Sequence, residues 1–240
     1  MKLSSKLSAL GAVLVLSTAF ASADVVQYFY SGSGEVGFLG YNATSPTGPF
    51  VIPPALTDNS TGTGSTFGIS PGTVWAPPLV GGLGISSIWV SYDMHSGPTG
   101  GETTGTYDTD GYYEYTTNFN LPGGNPSVVN LTIAADDTVA VYLNGLLPSD
   151  LVLGDATIGG DGDCADGQPD CRVGGSSTVS FGAPAGYNVL YFVVDQSGSV
   201  DQGLDYVFTV TETPEPNTLI LLGTGLLGTA GALFRKMRTA

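Results

Sequence analysis

The residues best equipped for chemistry crowd one stretch late in the chain. Asp161, Asp163, Asp166 and Asp170 lie within ten positions, and Cys164 and Cys171 sit among them. Carboxylates this close repel one another, and a divalent cation would relieve the repulsion. Hard oxygen ligands of this kind suit Ca²⁺. The four aspartates are therefore a candidate Ca²⁺ site, the one cofactor the sequence suggests. They lack the spacing and the terminal Glu of an EF-hand loop. The alternative is a solvated acidic loop. Cys164 and Cys171 are the only cysteines. In an exported chain two such residues pair as a disulfide. A loop this short gains roughly 2–3 kcal/mol from closure on the chain-entropy model. Asp108-Thr109-Asp110-Gly111 and Asp58-Asn59 are weaker acidic turns.

Other groups invite binding rather than catalysis. Aromatic faces can stack on the apolar faces of sugars. Trp75 lies in a Pro-rich stretch and is the first stacking candidate, with Tyr92 and Tyr112 behind it. Trp89 alternates with Ile88 and Val90 in a strand-like run, which favours the core over the surface. His95 is the sole histidine, and no nucleophile motif surrounds it. No motif marks a carboxylate pair for glycoside hydrolysis. The reading is of a protein that is not an enzyme.

The elements that must position these groups read as strands. Val25–Tyr30, Ser86–Tyr92, Tyr112–Asn120, Val128–Ala134, Thr138–Leu143, Ser177–Phe181, Asn188–Val194 and Asp205–Thr211 are rich in β-branched and aromatic residues and alternate in polarity. Val128–Ala134 and Thr138–Leu143 are expected to pair across Ala135-Asp136-Asp137, with the aspartates capping the turn. Asn144-Gly145 accepts positive φ and predicts a tight turn. The segment 41–84 is rich in Pro, Gly, Thr and Ser and reads as long loops with one or two short strands, one near Thr66–Ile69. No helical stripe is visible between Asp24 and Thr213. Short strands between Gly, Pro, Asn and Asp clusters indicate an all-β antiparallel sandwich or jelly roll.

The two ends carry a different message. Lys2 and Lys6 precede an apolar run to Phe20, and Ala21-Ser22-Ala23 ends it. This is a secretory signal peptide over 1–23, handled by the Sec translocon. At the other end Pro214-Glu215-Pro216 leads into the apolar stretch Thr218–Phe234, then Arg235, Lys236 and Arg238. A helix of that length covers roughly 25 Å, the short end for a bilayer core. Its basic cluster would stay cytoplasmic and leave the domain outside. Between the ends, the domain at 24–213 holds twenty acidic residues against Arg172 alone. Such a surface repels nucleic acid and anionic lipid.

A Pro-Glu-Pro, a Gly-rich apolar span and a terminal Arg-Lys-x-Arg, in that order, resemble the PEP-CTERM sorting signal at 214–240. The resemblance implies an exosortase partner, a C-terminal transmembrane helix that holds the chain transiently or permanently, and a place in the cell envelope or outside the cell. Within the domain, Ser87-Ile-Trp-Val-Ser91, Gly111–Pro122, Leu131–Gly145 and Ala185–Val194 resemble blocks of galactose-binding-like β-sandwiches. That resemblance implies a non-catalytic scaffold and extracellular polysaccharide as a partner. A structural envelope or biofilm component without a specific ligand is the alternative, and a hydrolase is the remote one.

Overall fold

The computed structural model describes residues 25–32, 36–51, 66–98, 109–121, 127–154, 164, 169–198, 201–212, 223, 225–231, 234, 235 and 237. The signal peptide at 1–23 lies outside them. The chain divides into a large unit, Val26–Thr211, and a second made of the two ends.

Two antiparallel sheets build the large unit. The first runs β3 (Phe67–Gly68), β4 (Val90–Ser91), β11 (Gly203–Glu212), β6 (Ser127–Asp136) and β9 (Ser177–Ala183), and β1 (Val25–Tyr30) also pairs with β11. The second runs β2 (Gly37–Asn42), β5 (Gly111–Leu121), β10 (Gly186–Gln196), β7 (Thr138–Leu143) and β8 (Leu151–Leu153).

Strand alternation generates the core directly. β5 points Tyr113, Tyr115, Phe119 and Leu121 inward, and β10 adds Leu190, Phe192 and Val194. From the facing sheet come Val129, Leu131, Ile133 and Ala135 of β6 and Leu204, Tyr206, Phe208 and Val210 of β11. Period-2 geometry puts these sets on one face of each strand. Rings meet between the sheets: Phe192 stacks on Tyr206 at 4.7 Å between centroids, and Phe29 on Phe208 at 4.4 Å. The tyrosines bring hydroxyls, and these find acceptors. Tyr113 donates to the Thr109 carbonyl at 2.8 Å, and Tyr115 to Gln202 Oε1 at 2.7 Å.

Three expectations change. The pair of Val128–Ala134 with Thr138–Leu143 does not form: β6 pairs with β9 and β11, whereas β7 pairs with β10 and β8. The chain crosses between sheets at Asp136-Asp137. Both flanking runs are inward-facing and apolar, so they pack face to face rather than edge to edge. Ser86–Tyr92 shrinks to Val90–Ser91, because its earlier residues bond to loops instead: Ser87 N–H to the Leu79 carbonyl and Ile88 N–H to that of Ser31. The segment 41–84 also begins inside a strand, β2, whose alternation is broken by a register shift between Phe38 and Gly40. The expected Asn-Gly turn is present, with Asn144 at φ 63°.

Asn144 explains its own motif. Its amide donates to Asn188 Oδ1 at 2.9 Å, and its Oδ1 accepts from Val189 N–H at 2.8 Å. The fully buried Asn188 donates in turn to the carbonyls of Pro184 and Gly186. The two Asn144 side-chain bonds, with its N–H to the Val189 carbonyl at 2.9 Å, lock the end of β7 to the start of β10.

In the second unit, residues 223, 225–231, 234, 235 and 237 are helical. Among the described residues no helix is long and apolar enough to cross a membrane.

Phe192→Ala, which removes a fully buried ring from the intersheet stack, should cost about 3–5 kcal/mol in urea unfolding. Val128→Ala, on an outward and 41% exposed position, should stay within about 0.5 kcal/mol.

Candidate functional site

The first stacking candidates are not available to a ligand. Trp75 is 3% exposed and packs on Trp89 at 4.7 Å between centroids. Trp89 is wholly buried, and its indole N–H donates to the Ala76 carbonyl at 3.0 Å. The Pro-rich stretch that carries Trp75 folds back over the sheet instead of projecting from it. Tyr92 is also 3% exposed, stacked on Tyr113 at 5.0 Å inside the sandwich. Tyr112 alone keeps partial access, on the outer face of the second sheet beside Tyr142 and Val193.

Cys164 and Cys171 form a disulfide with Cα atoms 5.6 Å apart. It is buried with Ile69, Trp75, Ala76, Trp89 and Ala134, a small second core outside the first sheet. Of the four clustered aspartates, Asp161, Asp163 and Asp166 lie outside the described residues. Asp170 is turned inward, 7% exposed, with Oδ1 accepting from Arg172 N–H at 2.7 Å. The Arg172 guanidinium donates to the Cys164 carbonyl at 3.3 Å. Asp136 lies within 4.8 Å of both sulfurs, but sulfurs joined to each other do not ligate a metal. Burial, then the charge of Asp137, holds the Asp136 carboxyl well above the usual range. Asp137 caps Ser197 rather than its own turn, accepting from that residue's N–H at 2.6 Å and Oγ at 2.7 Å. His95 pairs locally with Asp93 at 3.2 Å. Of the sorting residues, Arg235 is helical and exposed. Pro214, Glu215, Pro216, Lys236 and Arg238 lie outside the described residues.

A groove of about 210 Å³ opens on the outer face of the first sheet. Asn130 and Thr132 of β6, Val207 and Thr209 of β11 and Tyr30 of β1 form its floor, and Gly81-Gly82 forms a wall. Odd and even positions decide this: the residues between the core positions of β6 and β11 face outward here. Tyr30 donates its hydroxyl to the Gly82 carbonyl at 2.6 Å, which pins the wall. A Cβ on Gly81 would come within 2.6 Å of the Tyr30 ring, and one on Gly82 would run into the Tyr28 ring. Glycine is thus required for the loop to lie flat on two tyrosines. Ser180 donates to Asn130 Oδ1, and Thr132 bonds Thr178 at 2.9 Å, so a row of amide and hydroxyl groups extends from the groove along β9. Tyr28 is 37% exposed beside it. Neutral polar groups next to aromatic faces can accept and donate to hydroxyls while stacking a ring. No sequence motif marks this site; its signal is the alternation of Tyr28 and Tyr30 with the core residue Phe29.

Charge is concentrated elsewhere. On the outer face of the second sheet burial pushes the Glu114 carboxyl up to about 7. Burial, then the charges of Asp137 and Asp110, pushes Asp195 to about 7 as well. Asp205 is buried too, but accepts from Ser31 Oγ at 2.8 Å and Leu79 N–H at 2.9 Å, bonds that oppose the rise caused by burial.

Residues 212–236 match the PEP-CTERM protein-sorting motif. The chain therefore carries that sorting signal where the Pro-Glu-Pro and basic cluster indicated it. No curated protein matches the chain. Among solved structures it is similar to CBM35 from Paenibacillus barcinonensis (14% identity, 78% of this chain and 99% of that one, TM-score 0.33). It is also similar to a family 35 carbohydrate binding module from Clostridium thermocellum (11%, 76% and 97%, 0.31). A third is the K1 cleaved adhesin domain of Lys-gingipain from Porphyromonas gingivalis W83 (14%, 80% and 99%, 0.31).

The raised carboxyls set a pH dependence. Glu114 and Asp195 keep protons in the folded state that the unfolded chain releases from about pH 4 upward. Their contribution is present in acid and disappears as pH rises through about 7. In buffer containing a chelator, thermal unfolding should show a Tm several degrees higher near pH 5 than near pH 8. Glu114→Gln should narrow that difference.

Proposed function

We propose that this chain is an exported, non-catalytic β-sandwich that binds neutral polysaccharide in the groove between β1, β6 and β11, and that an exosortase sorts it through its tail. The groove carries the binding half of this reading. Its lining, which includes Asn130, Thr132, Thr209 and the Tyr30 ring, is uncharged, in a domain where one residue in nine or ten is acidic. A ligand of hydroxyls meets amide and hydroxyl partners there, and the surrounding negative field disfavours anionic polymers. The volume is below the roughly 300–1,000 Å³ that encloses a drug-sized molecule. One ring of a longer chain fits it better than a whole small ligand.

The PEP-CTERM motif carries the sorting half. Export through the Sec translocon on the 1–23 signal peptide brings the domain across the membrane. The apolar segment Thr218–Phe234 then holds it for processing near Pro214-Glu215-Pro216, with Arg235, Lys236 and Arg238 left on the cytoplasmic side. Release or attachment at the cell surface follows. An acidic envelope or biofilm component without a specific ligand is the competing reading, favoured by the lopsided charge.

A glycan array separates the two. The purified protein should retain neutral polysaccharides, with Asn130→Ala and Tyr28→Ala each lowering affinity about tenfold or more. Binding to nothing on the array would leave the structural reading. In cells with an exosortase, replacing Pro214-Glu215-Pro216 by alanines should trap the uncut chain in the membrane fraction, read by mass and immunoblot.

A further inference from the structure

Asp136 ends β6 beside the Cys164–Cys171 bridge, against the small second core of Trp75 and Trp89. One of its carboxylate oxygens lies within 4.8 Å of both sulfurs. Among the described residues these three make the one such group of metal-ligating side chains. Asp136 is 3% exposed, and its Oδ1 has no hydrogen-bond partner. A bridge that only staples a loop has no need of a carboxyl. A buried acceptor without a donor costs free energy, and an ionised one costs more. The buried acids nearby are treated differently: Asp205 accepts from Ser31 and Leu79, and Asp137 from Ser197. Burial first, then the charge of Asp137, opposes the anion of Asp136, and the charge of Asp201 adds to this. A cation beside it would reverse that balance. Arg172, the sole Lys or Arg between 24 and 213, is at the Cys164 carbonyl.

The carboxyl gains a partner once the sulfurs are separate. We propose that the protein in its reduced form holds one Zn²⁺ on Cys164 Sγ, Cys171 Sγ and a carboxylate oxygen of Asp136. Thiolates and a carboxylate suit zinc, a borderline-soft ion, whereas Ca²⁺ and Mg²⁺ take oxygen alone. Three protein donors leave the fourth tetrahedral position to water. The sulfurs part to roughly 3.8 Å, the edge of a tetrahedron around zinc, and the carboxylate closes in. Reduction by a dithiol breaks the S–S bond. Two electrons and two protons pass to the cysteines, and the dithiol leaves as its own disulfide. Zn²⁺ then displaces both thiol protons, and the carboxyl proton where Asp136 holds one. Zinc and oxidation thus compete for the same two sulfurs. Either outcome fastens the 71–76 loop, whose Ala76 N–H bonds the Cys171 carbonyl, near the end of β6. The site is separate from the groove.

The test uses the full-length protein, unfolded and reduced with dithiothreitol, desalted without oxygen and refolded with equimolar ZnCl₂. After a second desalting, elemental analysis should find one zinc per chain, and none in protein refolded with its bridge intact. Cys164→Ser/Cys171→Ser should hold no zinc. Asp136→Asn keeps both thiols and the shape of the side chain, and should bind at least about tenfold more weakly. A further measurement needs no variant to fold. CoCl₂ in place of zinc should give the reduced wild type thiolate-to-metal charge-transfer absorption in the near ultraviolet and the strong visible bands of a tetrahedral ion. The proposal is overturned by reduced wild type without zinc, by equal zinc in the bridged protein, by a cobalt complex without those bands, or by Asp136→Asn that binds as tightly as the wild type.

Discussion

The structure depends on two sheets presenting apolar faces to each other at once. β5 and β10 on one side and β6 and β11 on the other must keep the same parity along ten or eleven residues each. A slip of one residue would turn Phe192 and Val194 out and Asp195 in. Everything functional is what this parity leaves over. The residues between the core positions become two outer faces of opposite character: one neutral and hydroxyl-rich, over β6 and β11, and one with carboxylates set among tyrosines, over β5 and β10.

The domain handles buried acidity without cations of its own. Asp205 and Asp137 are surrounded by backbone N–H and serine hydroxyl donors. Asp136 is covered by the disulfide and Trp75, with one oxygen lacking a donor. Glu114 and Asp195 sit on the outer face of the second sheet, where burial first of all pushes both carboxyls up to about 7. With Arg172 committed to a loop carbonyl, the folded domain answers to protons in a way that a balanced surface would not.

The short Cys164–Cys171 bridge and the Trp75–Trp89 pair serve a second, smaller core. That core closes a Pro-rich segment onto the first sheet. It also accounts for the burial of the tryptophans: a Pro-rich run reads as an exposed loop, yet Ala76 N–H bonds the Cys171 carbonyl at 2.7 Å and draws the loop in. Sequence periodicity has no access to a contact between positions 76 and 171.

Local pattern alone determined the strands from Tyr112 onward apart from the short β8, the Asn144-Gly145 turn, the disulfide pairing of the only two cysteines and the sorting tail. Each depends on residues near one another in the chain, or on there being a single partner available. Tertiary structure decided which strands share a sheet, and so sent β6 and β7 to opposite layers where adjacency suggested a hairpin. It also buried Trp75 and Tyr92, brought Tyr30 beside Gly82, and set Glu114 diagonal to Asp195. These are contacts between separate elements of the chain, fixed by which apolar faces fit together, and no local signal encodes them.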